Sequence, residues 1–237
     1  MPLDNEDYVR DQYGTTENLD TRISVWQPDV VGRSPQDVAL HAVRGVHPRR
    51  VLEVGSGKGS LAVRIAEELQ CEVIALDSSA AMVAASTSLG VTTILGNVRD
   101  LPFADHSFDV VVAAWMLYHV RPLDEGLSEL ARVLRPGGRL VAITNGRTHL
   151  QELWSAVDSE HDEPSFSVEN GADHLREHFC AVERLDANSS AVFEDRASAA
   201  AYLDSIDRSD LAGRLGHAEW PLRAHGSTAV FVADKGE

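Results

Sequence analysis

The chain has 237 residues, of which 43% are hydrophobic and 24% charged, so it can bury a sizeable core in one globular domain, with or without an elaboration. A formal net charge of −16, without a Lys/Arg cluster, argues against nucleic acid as a partner. The N-terminus is polar and acidic, unlike a signal peptide, and the longest apolar run, 110–117, is too short to span a bilayer, so we expect a cytoplasmic protein with no membrane partner.

The first 48 residues are polar with scattered apolar positions, which predicts short helices packed on a larger body. One of these helices is predicted over 36–44, where Gly45 and Pro48 end it before the first strand. We therefore expect residues 1–48 to form an N-terminal helical cap or lid on a domain that spans 49–237.

From residue 51 onward, strand-like and helix-like stretches alternate. The predicted strands are 51–55, 72–77, 91–95, 108–114 and 139–144, and the predicted helices are 59–69, 79–88 and 122–134. This alternation predicts an α/β fold of the doubly wound type, with a mainly parallel sheet and helices on both faces.

The C-terminal part is less regular. Its pattern predicts helices over 150–157, 171–179 and 197–206, and strands over 180–185 and 228–233. Residues 207–226 carry no clear pattern, and we expect a substrate-covering insertion around 188–226.

A glycine-rich loop follows the first predicted strand, in the sequence Glu53-Val54-Gly55-Ser56-Gly57-Lys58-Gly59. A phosphate-binding P-loop needs Ser or Thr directly after Gly-Lys, and the chain has Gly59 there. The dinucleotide fingerprint G-x-G-x-x-G needs a third glycine where the chain has Ser60. The pattern that fits fully is an acidic residue followed by x-G-x-G-x-G.

Further motifs follow this loop in order. Asp77 ends the second strand, where a carboxylate can accept hydrogen bonds from ribose hydroxyls. Asn97 and Val98 follow the third strand. After them come Leu101-Pro102-Phe103, Ser107-Phe108-Asp109 and the run Met116-Leu117-Tyr118-His119-Val120. The turn 134–138, with Pro136-Gly137-Gly138, and the segment Thr144-Asn145-Gly146 follow. Together these motifs resemble the class I S-adenosylmethionine-dependent methyltransferases, and within them the methyltransferase type 11 group of bacterial small-molecule enzymes.

The resemblance implies a Rossmann-like, seven-stranded methyltransferase fold, S-adenosylmethionine as cofactor, S-adenosylhomocysteine as product, and a small-molecule acceptor, as in natural-product metabolism. The chain differs from the family pattern at Asn97, where the family usually has an aspartate. The residues expected to bind the cofactor are Glu53, Gly55, Ser56, Gly57, Gly59, Asp77, Ser78, Met82, Asn97, Val98 and Trp115, with Tyr13 of the lid. Lys58 is interpreted as a solvated surface charge.

The loop after the fourth strand is expected to lie under the methyl donor and acceptor. Met116, Tyr118 and Asn145 are predicted to contact the substrate, and His119 and His149 are the candidate general bases, because an unperturbed imidazole titrates near pH ~6.5. The alternative interpretation of both histidines is structural. The cysteines, Cys71 and Cys180, are far apart in sequence, and no metal site is predicted.

The predicted activity is methyl transfer to an O, N or C atom of the acceptor by in-line displacement, for which alignment matters more than a base. The alternatives are a non-catalytic S-adenosylmethionine-binding protein and an NAD(P)-dependent oxidoreductase, against which Ser60 counts. The acidic net charge favours a neutral or cationic acceptor over a phosphorylated one.

Overall fold

A computed structural model describes residues 3–27, 34–159 and 164–237 of the chain, so parts of the predicted lid, at 1–2 and 28–33, lie outside the described residues. The strands are β1 (Trp26–Gln27), β2 (Arg50–Val54), β3 (Glu72–Asp77), β4 (Thr92–Leu95), β5 (Phe108–Ala114), β6 (Leu134–Asn145), β7 (Ala181–Asp186), β8 (Ser189–Phe193), β9 (Leu222–Gly226) and β10 (Thr228–Asp234). The helices are α1 (Glu6–Gln12), α2 (Glu17–Ser24), α3 (Pro35–Arg44), α4 (Ser60–Leu69), α5 (Ala80–Ser88), α6 (Leu123–Val133), α7 (Gln151–Ala156), α8 (Gly171–Arg176) and α9 (Arg196–Ser205), with 3-10 helices at Leu117–His119 and Ser209–His217.

The large sheet has seven strands in the order β4-β3-β2-β5-β6-β10-β7. The pairs from β4 through to β6 are parallel, whereas β10 is antiparallel to both β6 and β7. The predicted doubly wound, mainly parallel sheet is therefore confirmed. The chain leaves β2 toward β4 on one side and returns to β5 on the other, so the strand order reverses between β2 and β5. In open α/β sheets, ligands bind at the carboxyl ends of the strands at such a reversal.

Both faces of the sheet are covered, which explains why its strands are nearly continuous apolar runs. One face packs Leu52, Val111 and Phe231 against Leu127 and Leu130 of α6. The other face forms a second buried cluster, in which α3 and α4 cover it with Leu40, Leu61, Ala62 and Ile65.

A second, three-stranded sheet of order β1-β8-β9 lies outside the large sheet. With α7, α9 and the second 3-10 helix, it encloses a separate core that includes Leu153, Phe193 and Leu203. We call β1, β8, β9 and α9 the cap. The cap contains most of the stretch 188–226, and α2 packs on α9. The predicted domain boundaries stay a prediction.

Two local features differ from the expected elements. The sequence Pro136-Gly137-Gly138 lies inside β6 rather than before it, because the register shifts between Phe108, which pairs with Leu134, and Val110, which pairs with Arg139. The additional β6 residues form an irregularity that the β5 partner does not match. The strands β1, β8 and β9 were not predicted, since their few residues pair with distant segments. None of the helices in the described ranges is long and apolar enough to cross a membrane.

Candidate active site

The glycine loop, residues 55–59, connects β2 to α4 at the reversal point of the sheet. Gly55, Gly57 and Gly59 all have positive φ, at 66°, 53° and 82°. A Cβ on Gly55 would lie 2.6 Å from Cβ of Met116, and a Cβ on Gly59 would overlap the side chain of Ser86. Glycine is therefore required at 55 and 59 both for backbone conformation and for space.

Asp77 holds this loop in place from the end of β3. One of its oxygens accepts a hydrogen bond from the amide of Gly57 (2.8 Å) and the other from the amide of Ser79 (2.9 Å). Burial raises the pKa of the Asp77 carboxyl, and the amides of Ser79, Gly57 and Ser78 partly oppose that shift because they favour the ionised form. Each oxygen has a further lone pair, so the carboxylate can still accept bonds from a ligand.

Glu53, at the end of β2, is a buried carboxyl that forms no ion pair with any cation in the described part of the chain. Its side chain is 2% exposed, and its Oε2 atom has no hydrogen-bond partner among the described residues. Burial raises its pKa to about 8, the amide of Ala62 opposes this rise, and Asp77 adds to it. The buried hydroxyl of Ser56 is likewise without a hydrogen-bond partner in the described ranges. Both groups are therefore available to a polar ligand.

The other predicted cofactor-binding residues differ in how they are placed. Ser78 is exposed, and Ser79 is the N-cap of α5. Met82 is fully buried, and Val98 is part of the core with its side chain next to Val120. The Asn97 Oδ1 atom accepts a hydrogen bond from the amide of Arg99 (3.0 Å), so this oxygen already caps a local turn. The predicted roles of these residues stay predictions.

The loop after β5 places Met116 against the glycine loop. Trp115 has φ of 54°, which is rare for a residue with a side chain, and its Nε1 donates to Oδ1 of Asn145 (3.0 Å). The Met116 side chain lies on Gly55 and is not among the residues that line the cavity described below. Its predicted contact with the substrate stays a prediction.

His119 is held between two polar partners in a buried position. Its Nδ1 atom lies 2.7 Å from the carbonyl of Leu3 and its Nε2 atom 3.0 Å from the hydroxyl of Tyr13. Because a carbonyl only accepts, Nδ1 carries the proton and Nε2 accepts from Tyr13. Burial lowers the pKa of His119 to about 4, so the ring is neutral at pH 7 and a weak base.

Tyr118, His119, Asn145 and His149 all line one cavity of about 180 Å³ at the carboxyl edge of the sheet. The Oδ1 atom of Asn145 accepts from Trp115 and from the hydroxyl of Thr228 (3.2 Å), which leaves the amide NH₂ as the group that can contact a ligand. His149 is buried, and its Nδ1 donates to the carbonyl of Ser227 (3.1 Å). The structure thus brings together both candidate bases and two of the three predicted substrate residues.

Residues 6–24 of the predicted lid lie over both the glycine loop and the cavity. The name lid refers to these residues from here on. Ser79 donates a hydrogen bond to the carbonyl of Tyr13 (2.6 Å), and Lys58, which was interpreted as a solvated surface charge, forms a partly exposed ion pair with Asp20 (2.5 Å). The side chain of Tyr13 forms part of the cavity wall. Tyr8, which was expected in the lid with Tyr13, also lines the cavity. Further cavity residues had no role in the sequence interpretation; they are Arg22, Trp154, Tyr202 and Arg208. They lie in segments without a recognisable motif.

These features define an α/β protein with a nucleoside-type site at the strand reversal and an adjoining covered cavity. The family described as a methyltransferase domain matches residues 52–142. A demethylmenaquinone methyltransferase of Mycolicibacterium vanbaalenii is 30% identical over 205 residues, which cover 84% of this chain and 75% of that protein. The chain therefore belongs to the class I S-adenosylmethionine-dependent methyltransferases, the family that the sequence motifs predicted.

Other relatives match over less of their length. A malonyl-[acyl-carrier protein] O-methyltransferase of Methylococcus capsulatus is 33% identical over 155 residues, 61% of this chain and 56% of that protein. The chain spans between 41% and 61% of the length of several such curated relatives. Among solved structures, the YcgJ protein of Bacillus subtilis has a TM-score of 0.65 at 18% identity, covering 86% of this chain and 98% of that one. The [4+2]-cyclase SpnF has a TM-score of 0.64 at 20% identity, covering 96% of this chain and 95% of that one, and it supports the same fold.

Proposed function

We propose that this protein transfers a methyl group from S-adenosylmethionine to a small-molecule acceptor that binds in the lid-covered cavity. The observation that carries this proposal is the position of Tyr13. Its carbonyl is bonded to Ser79 beside Asp77, and its ring lines the cavity with His119. One residue of the lid thus touches both the donor edge and the acceptor space.

The residues at the donor edge fit the chemical groups of S-adenosylmethionine. The unpartnered Oε2 of buried Glu53 can take the donor's ammonium group, directly or through water, and the carboxylate of Asp77 can accept from the ribose diol. The positive-φ backbone of Gly55 and Gly57 lets a ligand lie close to the loop and the N-terminus of α4. When bound, the cofactor supplies an electrophilic methyl group on its sulfonium.

The contribution of the chain's own residues is alignment and exclusion of water. The lid covers the cavity, and the Asn145 amide and the tyrosine hydroxyls can orient an acceptor. His119 is neutral but has its Nε2 occupied by Tyr13, which makes it a positioning group for the lid more readily than a general base. This favours an acceptor whose proton leaves after, or together with, methyl transfer.

A ligand screen tests the donor. S-adenosylmethionine and S-adenosylhomocysteine are expected to raise the thermal midpoint, since a ligand at 100 times its Kd adds about 2.7 kcal/mol, and NAD is expected to have no effect. A shift with NAD alone would favour the oxidoreductase alternative. Transfer of labelled methyl from S-adenosylmethionine to any member of a small-molecule acceptor panel then separates an enzyme from a non-catalytic binding protein.

The Asp77→Asn substitution is expected to weaken S-adenosylhomocysteine binding about 10- to 100-fold, because a charge-assisted hydrogen bond contributes about 1.5–3 kcal/mol. The amide also cannot accept from both Gly57 and Ser79. Calorimetric titration measures this change, and thermal unfolding shows whether the variant is folded. The exposed Asp173→Asn is the matched control. An unchanged Kd in Asp77→Asn would contradict the ribose assignment.

The pH dependence of turnover tests the role of His119. At saturating donor and acceptor, kcat is expected to show no inflection from His119 between pH 6 and 8, because burial lowers its pKa to about 4. The His119→Gln variant should retain the wild-type profile shape over this range. A wild-type inflection near pH ~6.5 that the variant lacks would instead support His119 as the general base.

A further inference from the structure

The cavity contains an arginine, Arg22, that forms no ion pair with an acidic side chain of the described residues. Arg22 extends from α2 into the cavity and is half-buried. Its Nη2 atom is shielded from solvent and has no hydrogen-bond partner among the described residues, and its Nε atom donates only to the carbonyl of Asn18 (3.2 Å). A shielded guanidinium N–H is costly unless a ligand accepts from it.

Arg208, the other arginine of the cavity wall, differs from Arg22 in having an acidic neighbour. Arg208 lies 3.6 Å from Asp210 and donates to the hydroxyl of Ser159. Within the described ranges, Arg22 forms no ion pair; its guanidinium carbon lies 4.9 Å from the centre of the Tyr13 ring. The Arg22 charge is therefore directed at aromatic groups and at the cavity.

The groups that face Arg22 are neutral at physiological pH. Burial raises the pKa values of Tyr8, Tyr13 and Tyr118, raises that of Tyr202 to about 12, and lowers that of His119 to about 4. Arg22 acts electrostatically on all of these side chains. Of the Asp, Glu, Lys and Arg side chains that line the cavity, Arg22 and Arg208 are cationic and Asp207 is anionic, although the whole chain carries a net charge of −16.

Three acidic side chains lie around this region. Asp4 is 3.7 Å from Arg121, and Asp207, which lines the cavity, is exposed. Asp77 acts on Tyr13 from the donor edge, where it accepts from the amides of Gly57 and Ser79. None of the three forms an ion pair with Arg22 among the described residues. The local charge therefore reverses the expectation of a neutral or cationic acceptor that net charge alone suggested.

We propose that Arg22 binds a carboxylate of the methyl acceptor, so that the acceptor class is a small aromatic acid. This inference rests on the proposed methyl transfer and adds the identity of its acceptor class. A guanidinium and a carboxylate match as a two-bond pair, and the tyrosine and tryptophan rings of the wall suit a flat apolar body.

A carboxylate also occurs in the amino-acid part of S-adenosylmethionine, and this is the second possible source of the anion. The structure favours the acceptor. Arg22 lines the cavity together with His149 and Tyr202, whereas Glu53, Asp77 and the glycine loop are not among the residues that line it. The test therefore separates the two sources.

Calorimetric titration with benzoate, 4-hydroxybenzoate and 4-aminobenzoate, each against its uncharged carboxamide, tests this assignment with and without saturating S-adenosylhomocysteine. At least one carboxylate is expected to bind wild-type protein at least tenfold more tightly than its amide. Arg22→Gln should abolish this preference, and Arg22→Lys should retain part of it. Arg10→Gln, at an exposed arginine of α1, is the matched control and should bind like the wild type.

The proposal is overturned if no acid binds more tightly than its amide, or if Arg22→Gln and Arg22→Lys leave the preference intact. It is also overturned if Arg22→Gln weakens S-adenosylhomocysteine binding tenfold while leaving 5′-methylthioadenosine, which lacks the amino-acid part, unaffected. Failure of the proposed methyltransferase function has a different signature, because wild-type protein would then not bind S-adenosylhomocysteine at all. Thermal unfolding of each variant excludes misfolding as the cause.

Discussion

Replacement of Gly59 by alanine is expected to lower the free energy of unfolding by about 2–5 kcal/mol. A left-handed conformation costs a residue with a side chain about 1–2 kcal/mol, and Gly59 has φ of 82°. Overpacking a buried site adds about 1–3 kcal/mol, and the new Cβ would overlap the fully buried Ser86. Denaturant unfolding measures the loss, and S-adenosylhomocysteine binding should fall with it because the loop must move.

Gly90 provides a matched control for this experiment. It has φ of 84°, almost the same as Gly59, and a Cβ there would meet nothing within 4 Å. Gly90→Ala should therefore show only the conformational cost, about 1–2 kcal/mol, with cofactor binding unchanged. Equal destabilisation of the two variants would contradict the contact between Gly59 and Ser86.

The second large effect is expected from Glu53→Gln. The folded pKa of Glu53, about 8, lies above its ordinary value of 4.5, so the folded state binds the extra proton between these values. Its contribution to stability is complete below pH 4.5 and is lost as the pH rises toward 8. The full difference corresponds to about 4–5 kcal/mol. Glu53→Gln should remove this loss. Between pH 5 and pH 8.5, its free energy of unfolding should therefore fall less than that of the wild type.

Denaturant titrations at several pH values measure this effect as the difference between wild type and variant. The difference cancels His119, whose lowered pKa has the opposite sign and costs stability as the pH falls below its ordinary value of 6.5. The exposed Glu177→Gln should leave the pH dependence as it is in wild type. Parallel stability curves for wild type and Glu53→Gln would show that Glu53 is not held in a destabilising environment.

Much of the large sheet was predictable because its signals are local. The run 108–114 is buried on both faces and was predicted with the bounds that β5 has. The glycine loop could be recognised from the spacing of its glycines, because positive φ at Gly55, Gly57 and Gly59 restricts the residue type. Asp77 was recognisable because it ends a strand next to that loop.

Side-chain direction was less predictable, as Met116 illustrates. Its contact with the substrate was expected because the loop after the fourth strand was expected to lie under the methyl donor and acceptor. In the structure, the backbone passes through the positive φ of Trp115 before the 3-10 turn, and the Met116 side chain lies on Gly55. A single residue of this kind changes the direction of those that follow, and nothing in the local sequence indicates it.

The sequence by itself determined the fold class, the family and the donor edge, because strand periodicity, turn glycines and strand-end carboxylates are encoded within a few residues of one another. Only the tertiary structure decided what forms the cavity. Arg22 from the lid, His119 after β5 and Tyr202 from the cap line one space although they are far apart in the chain. Their chemistry depends on burial and on missing partners, which arise only when distant segments pack together.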